Sequence, residues 1–202
     1  DRRMDKASRG RVREIKEAVA KEVPQDARVL EIGCGTGELA AMLIGHGAVV
    51  DAFDASPAMV EFVRERIAEE GLDASLTVQH MGVDGMDGLP SSHYDAVVST
   101  LVFSELTADE RSYALKHAAR VLKPEGQLVI ADEVVPRKTA GRILQSAVRV
   151  PMLAATYLVS RASTRPIPNL AGEVAEARFL IDKEVRSHGD AFSLVKATLP
   201  AR

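Results

Sequence analysis

The sequence predicts an α/β protein with a doubly wound, mostly parallel, seven-stranded sheet and an antiparallel last strand. Short apolar runs typical of buried strands alternate along most of the chain with amphipathic stretches typical of helices. Near the end, two strand-like runs flank "HGD", which indicates an antiparallel pair. The 202 residues suit one domain with a core large enough to fold alone, so we expect a single domain over residues 1–202.

The first half of the chain predicts three helices and three strands. An amphipathic helix over 4–22 ends at "PQD" and is followed by the strand "ARVLEI". A second helix ends at Gly47, and the strand "AVVDAFD" follows it. Ser56 as N-cap and Pro57 at the first helical position begin a third helix, which Gly71 ends. "SLTVQHM" is then predicted as the third strand.

The second half continues this alternation. "YDAVVST" is predicted as the fourth strand, and Thr107 and Glu110 have the spacing of a capping box at the start of a long helix. "KPEG" is predicted as a turn and "QLVIADEVV" as the fifth strand. The antiparallel pair is formed by "RFLIDKEVRS" and "AFSLVKATLP".

Composition excludes several classes of protein. The formal net charge of −3 is spread along the chain, so nucleic acid is not expected as a partner. The single cysteine, Cys34, excludes an internal disulfide and a cysteine-cluster metal site, and no metal site is predicted. The most apolar stretch, 150–160, is too short to span a bilayer. We therefore expect a cytoplasmic protein with no membrane span.

A glycine-rich turn follows the first strand in "VLEIGCGTGELA". Gly33, Gly35 and Gly37 have the spacing G-x-G-x-G, and Glu31 precedes them. Dinucleotide sites favour G-x-G-x-x-G, which seats a pyrophosphate on the helix N-terminus. An acid at the strand end would repel a pyrophosphate but would attract an ammonium or sulfonium group. The pattern therefore predicts S-adenosyl-L-methionine as the cofactor.

A second acid supports this prediction. Asp54 ends the second strand, where a carboxylate can accept hydrogen bonds from both ribose hydroxyls. Structural alternatives remain open: the glycines could form a turn without a ligand, Glu31 could cap a helix, and Asp54 could begin the next turn. Cys34 is expected mainly as a small buried side chain within the loop.

Four stretches carry a resemblance to a known family. "VLEIGCGTG", "FDAS", "YDAVVST" and "RVLKPEGQLVIAD" resemble the class I S-adenosylmethionine-dependent methyltransferases, which have a Rossmann-like fold, over roughly residues 10–199. "VVSTLVFSELTADERSYALKHAARVLKPEGQLVIADEVVP" and "ATYLVSRASTRPIPNL" resemble, more narrowly, the corrinoid protein-associated methyltransferases. The narrower resemblance implies a link to corrinoid proteins of methyl-transfer pathways, with a corrinoid protein as a candidate partner.

The broader resemblance also implies which residues bind the cofactor. Its methionyl part would contact the glycine loop, its ribose the end of the second strand, and its adenine the "MGVDG" loop. The implied residues are Glu31, Gly33, Cys34, Gly35, Gly37, Asp54, Ala55, Ser56, Val83, Asp84, Ser99 and Leu101.

The methyl acceptor should lie at the carboxyl ends of the fourth and fifth strands, because open α/β sheets bind ligands there. Glu105, Asp132 and Glu133 are candidate general bases at this edge, although each could be an ordinary loop acid. An insertion at about 137–170 is expected to act as a lid or a docking surface, with 142–160 able to join two copies; the alternative is a covering helix pair. Candidate acceptor contacts are Phe103, Arg149, Tyr157 and Arg165.

These observations lead to three functional hypotheses. The first is an enzyme that methylates a small, hydrophobic or corrinoid-related molecule, with S-adenosyl-L-homocysteine as the product. The second is an enzyme with a quinone or lipid-like acceptor. The third is a non-catalytic S-adenosylmethionine-binding partner of a corrinoid protein.

Overall fold

A computed structural model of the protein describes residues 10–72, 74–137 and 165–201. The strands are β1 Arg28–Ile32, β2 Val49–Asp54, β3 Leu76–His80, β4 Tyr94–Thr100, β5 Leu122–Glu133, β6 Leu180–Ser187 and β7 Phe192–Thr198. The helices are α1 Arg11–Ala20, α2 Glu38–Ile44, α3 Pro57–Glu70, α4 Ala108–Val121 and α5 Leu170–Glu176. Short 3-10 helices span Val83–Gly88 and Phe103–Glu105.

The strands form one sheet in the order β3-β2-β1-β4-β5-β7-β6. The pairs from β3 to β5 are parallel, and β7 runs antiparallel to both of its neighbours. This arrangement confirms the predicted doubly wound sheet with its antiparallel last strand. The chain order reverses between β1 and β4, and a sheet of this kind binds ligands at the carboxyl ends of the strands beside such a reversal.

Two apolar layers cover the sheet. Side chains of α1, α2 and α3 pack on one face, and side chains of α4 and α5 pack on the other. In β1, Val29, Leu30 and Ile32 are all buried, because helices cover both faces of this central strand. Within the described ranges, no helix combines the length and the apolar character needed to cross a membrane.

The predicted ends of α3 and the predicted start of α4 are confirmed, whereas α2 ends at Ile44 with Gly45 as its C-cap and not at Gly47. The Ser56 hydroxyl accepts a hydrogen bond from the Met59 amide at 3.4 Å, and Gly71 ends α3 with a left-handed φ of 67°. The capping box of Thr107 and Glu110 is formed at the start of α4. Local side-chain caps can be recognised from sequence because both partners lie within one turn.

The prediction of "KPEG" as a turn is wrong. β5 begins at Leu122, and its register against β4 shifts between Tyr94 and Ala96. Glu125 has a left-handed φ of 62°, and its amide donates a hydrogen bond to the carbonyl of Leu199. The bend is therefore part of the strand, because the end of the chain supplies a hydrogen-bonding partner.

Helix α5 was not predicted from the sequence. Asn169 caps it by accepting a hydrogen bond from the Gly172 amide, and Leu170 and Val174 are buried. A two-pronged ion pair joins it to α4, with Arg111 Nε 2.6 Å from one Glu173 oxygen and Nη2 2.9 Å from the other. This long-range pair stabilises a helix of only seven residues.

Replacing Glu173 with Gln should lower the free energy of unfolding by about 2 kcal/mol or more, because Arg111 would stay buried without its counter-charge. Urea denaturation measures the change. Glu17→Gln is the control, since Glu17 pairs with Arg13 on the surface of α1 and should change stability by less than about 0.5 kcal/mol. Equal effects of the two substitutions would contradict this assignment.

Candidate functional site

The glycine loop lies at the carboxyl end of β1. The amides of Gly33 and Cys34 both donate to the carbonyl of Phe53, at 2.9 and 3.0 Å, which fastens the loop to β2. Gly33 is required here because a Cβ atom at this position would lie 2.3 Å from a methyl group of Val102. The side chain of Val102, after β4, therefore packs directly against the loop.

The middle glycine faces open space. Gly35 has a left-handed φ of 52°, and a Cβ atom there would meet no heavy atom within 4 Å. Its amide donates to Asp54 Oδ2 at 2.8 Å. Gly37 is also left-handed and begins α2 as its N-cap. The loop thus leaves room for a ligand beside Gly35, while the Asp54 carboxylate at the end of β2 holds its backbone in place.

Asp54 holds two loops together. Besides accepting from Gly35, it accepts a hydrogen bond from the amide of Ser56 through Oδ1 at 2.8 Å. Each carboxylate oxygen has capacity for a further bond, and the side chain is only half-buried. Ala55 is exposed, and its carbonyl lies 3.1 Å from His80 Nε2. The acid therefore fixes the loop and can still accept hydroxyl donors.

Glu31 is the most unusual group at this edge. Its side chain is 1% exposed, and among the described residues no donor reaches Oε2. Burial, with a smaller contribution from the charge of Asp54, raises its pKa to about 8 against the opposing effects of Lys16 and the Ala40 amide. A buried carboxyl with an unsatisfied oxygen has a strong demand for a donor, most of all a cationic one.

Lys16 supplies positive charge near Glu31 from α1. Its ammonium lies 2.8 Å from Oε2 of Glu38, the first residue of α2, and both side chains are largely buried. The ammonium is thus paired with Glu38, and among the described residues the Oε2 atom of Glu31 has no partner.

The loop after β3 lies beside Asp54. The Met81 amide donates to the Asp54 carbonyl at 3.0 Å, and the 3-10 helix Val83–Gly88 follows. Val83 is buried and Asp84 is exposed. A Cβ atom at Gly82 would lie 2.4 Å from Asp84 Oδ1, so glycine permits the carboxylate to fold back over the chain. Val83 and Asp84 thus lie at the predicted edge of the sheet.

Ser99 and Leu101 mark the end of β4. Ser99 is fully buried, and its hydroxyl donates to the Ile32 carbonyl at 3.0 Å, so its side chain links β4 to β1 behind the glycine loop. Leu101 has a left-handed φ of 61°, and its amide donates a hydrogen bond to the Ala131 carbonyl. A direct cofactor contact by either residue stays a prediction.

The candidate acceptor residues have different surroundings. Asp132 is fully buried and accepts from the amides of Glu133 at 2.6 Å and Ser104 at 3.2 Å, while burial raises its pKa to about 6. It therefore anchors the Phe103–Glu105 turn to β5. The Phe103 ring lies in the core.

Glu105 is the candidate base at the surface of this turn. Partial burial and the neighbouring charges of Asp132 and Asp54 raise its pKa. Arg165 is exposed beside the same turn, and its amide donates to the Ser104 carbonyl at 2.7 Å. Arg149, Tyr157 and most of the predicted insertion lie outside the described residues.

Sequence reasoning missed residues that shape the site from other elements. Val102 contacts Gly33, Lys16 acts on Glu31, and Arg66 of α3 donates to the Thr36 carbonyl in the glycine loop at 3.0 Å. Val102 could have been inferred from its place directly after β4. Lys16 and Arg66 have no local signal, because their partners are distant in sequence.

Comparison with known proteins agrees with this geometry. Residues 29–126 match the family model described as a methyltransferase domain. An uncharacterized methyltransferase of Oceanobacillus iheyensis is 32% identical over 119 residues, which cover 56% of this chain and 50% of the relative. The ubiquinone/menaquinone biosynthesis C-methyltransferase UbiE of Edwardsiella ictaluri is 28% identical over 121 residues, covering 58% and 47% respectively. The chain spans about half the length of these curated relatives.

A solved structure shares the fold. Geranyl diphosphate methyltransferase in complex with S-adenosylmethionine superposes with a TM-score of 0.71 at 15% identity, covering 91% of this chain and 84% of that one. Residues 29–126 thus match a methyltransferase domain, and the solved structure shows the same Rossmann-like fold. The narrower corrinoid-associated family has no support among the proteins named here.

The buried state of Glu31 predicts a pH dependence of stability. Its folded pKa of about 8 lies above the unfolded value of about 4.5, so the folded protein binds the extra proton between these pH values. The free energy of unfolding of wild type should therefore fall, relative to Glu31→Gln, by on the order of 4 kcal/mol as pH rises from 4.5 to 8. Urea denaturation across this range measures the difference, and parallel curves for the two proteins would contradict it.

Proposed function

We propose that this protein transfers a methyl group from S-adenosyl-L-methionine to a small, apolar acceptor. The observation that carries the proposal is the buried Glu31 carboxyl, whose Oε2 atom has no donor among the described residues and lies beside a left-handed glycine loop. A ligand that brings an ammonium group satisfies this oxygen, whereas a diphosphate does not. The matching domain and the shared fold support the same conclusion.

The residues present fit this cofactor. Glu31 would bind the ammonium, the free side of Gly35 would admit the methionyl backbone, and Asp54 would accept the ribose hydroxyls. Val83 and Asp84 would line the adenine. When bound, the cofactor supplies a methyl group on a sulfonium, which leaves as a neutral thioether.

The charges around the loop favour a cationic ligand. Asp54 raises the pKa of both Glu31 and Glu105, so its carboxylate is electrostatically coupled to a group in β1 and to a group after β4. A sulfonium placed among these acids is attracted, and a dinucleotide with two phosphates is repelled. S-adenosyl-L-homocysteine lacks the sulfonium charge, so these acids would attract it less strongly, which favours its release.

The main task of the protein residues is to align the acceptor with the methyl group. Positioning of this kind contributes about 7–11 kcal/mol at the extreme. A general base is needed only for an acceptor that keeps its proton near neutral pH. Glu105 would take that role, because it is exposed after β4 and its raised pKa would make it a better proton acceptor than an ordinary glutamate.

A quinone or lipid-like acceptor is the second candidate. It is favoured by the similarity to UbiE, which is named for ubiquinone and menaquinone biosynthesis, and by the apolar sequence of 150–160. A corrinoid-related acceptor, or a non-catalytic role beside a corrinoid protein, rests on the sequence resemblance of 97–136 and 155–170. A lid or a dimer contact formed by 142–160 likewise stays a proposal.

Methyl-labelled S-adenosylmethionine incubated with the protein and fractionated cell extract tests the function. We expect label in an organic-extractable small molecule, because the proposed acceptor is apolar. Label in a corrinoid fraction would favour the corrinoid-related acceptor. Binding of the cofactor without any turnover, together with co-purification of a corrinoid protein, would overturn the enzymatic proposal. Tight NAD binding in calorimetry, with none for S-adenosylhomocysteine, would overturn the cofactor assignment.

Asp54→Ala should weaken binding of S-adenosylhomocysteine at least tenfold, about 1.4 kcal/mol, since it removes a charged acceptor for the ribose and the brace on the Gly35 amide. Calorimetry gives the dissociation constant. Asp51→Ala is the matched control, because Asp51 lies on the same strand but pairs with Arg28 away from the loop. An unchanged dissociation constant for Asp54→Ala would show that the ribose lies elsewhere.

A further inference from the structure

Arg120, near the end of α4, donates hydrogen bonds from all three nitrogens of its guanidinium group, and most of them go to the loop after β3. Four acceptors lie between residues 86 and 91, and a fifth is a histidine of the same helix. The bonds are Nη1 to Leu89 O at 2.8 Å and Ser91 Oγ at 2.8 Å, Nη2 to Met86 O at 2.8 Å and Asp87 O at 3.2 Å, and Nε to His117 Nδ1 at 3.3 Å.

Two of these bonds provide donors for the Met86 and Asp87 carbonyls, which lie at the end of the 3-10 helix Val83–Gly88. The last carbonyls of a helix have no partner within it, and they attract a cation. The planar guanidinium of an arginine presents five donors in a fixed fork that spans several carbonyls, whereas the ammonium of a lysine presents three donors from a single point. Arg120 therefore fixes the position of this short helix as well as neutralising its end.

The other end of the same loop is fixed near the site. The Met81 amide is bonded to the Asp54 carbonyl, and the Tyr113 hydroxyl donates to the Asp84 carbonyl at 3.2 Å. Val83 is buried in the core, whereas Asp84 is exposed. The stretch proposed to line the adenine is thus held between a contact with Asp54 on one side and α4 on the other.

His117 orients the guanidinium from behind. Its Nδ1 accepts from Arg120, so the ring proton is assigned to Nε2. Burial and the charges of Arg120 and Lys116 lower the pKa of His117, while Asp87 opposes them. The neutral ring is therefore the form that accepts the Arg120 bond, and Tyr113 stacks against it with ring centroids 4.3 Å apart.

We propose that Arg120 is a positioning residue for base recognition: by fixing Val83–Gly88 it sets the selectivity of the site for adenine over a 6-oxopurine. The inference rests on the proposed function, because it concerns the adenine end of the same cofactor. Arg120 acts through this loop, since four of its five bonds go to groups of residues 86–91 and the fifth goes to His117.

The test measures binding of S-adenosyl-L-homocysteine and of its 6-oxo analogue, S-inosyl-L-homocysteine, by calorimetry on the full chain. Wild type should bind the adenosyl compound at least tenfold more tightly. Arg120→Lys should weaken adenosyl binding at least tenfold and lower the ratio of the two dissociation constants at least threefold. A purely structural role would lower stability and leave this ratio unchanged.

Arg111→Lys is the matched control. Arg111 is a buried arginine of the same helix, but it holds α5 and the Leu106 carbonyl instead of the adenine loop. This variant should be less stable than wild type and keep the wild-type ratio. Equal ratios in wild type, Arg120→Lys and Arg111→Lys would overturn the inference.

Tyr113→Phe keeps the test decisive if Arg120→Lys does not fold. It removes one hydrogen bond to the Asp84 carbonyl and should lower the ratio about twofold or more. An unchanged ratio in this variant would overturn the inference. Equal binding of both compounds by wild type would also overturn it while leaving the proposed cofactor in place. If wild type binds neither compound, the proposed function itself fails.

Discussion

The burial of one carboxyl group determines the form of this site. Glu31 lies on a central strand whose two faces are covered by helices, and its side chain is only 1% exposed, so its charged form is disfavoured. A polar group held there without a complete set of partners costs free energy, and residues with such a cost often lie where a ligand removes it. The open space beside Gly35 is where that partner can enter.

Asp54 converts this local constraint into a connected site. Its side chain accepts from the glycine loop and from the Ser56 amide, and its carbonyl accepts from Met81 after β3. Loops that follow three different strands are therefore joined at one residue. Because each carboxylate oxygen retains acceptor capacity, the residue that assembles the loops can also contact the ligand they surround.

The sequence predicted the parts of the site that are encoded locally. The glycine spacing and the capped helices each depend on residues within about a turn of one another, and Glu31 and Asp54 each stand near the end of a recognisable strand. The roles of Ser99 and Asp132 could not be read in this way, because they depend on strand register and on which neighbouring amide lies opposite. Helix α5 was missed for the same reason: its ion pair joins residues 62 positions apart.

Arginines behind the ligand-facing loops explain how irregular backbone can be kept in place. Left-handed residues such as Gly33 and Leu101 do not hold a loop rigid by themselves. Arg66 binds the carbonyl of Thr36 from α3, and Arg120 binds the loop after β3 from α4. Both guanidinium groups hold their loops from the helix side. The Glu31 carboxyl and the exposed side of Asp84 would face a ligand. They are therefore not needed to hold these two loops in place.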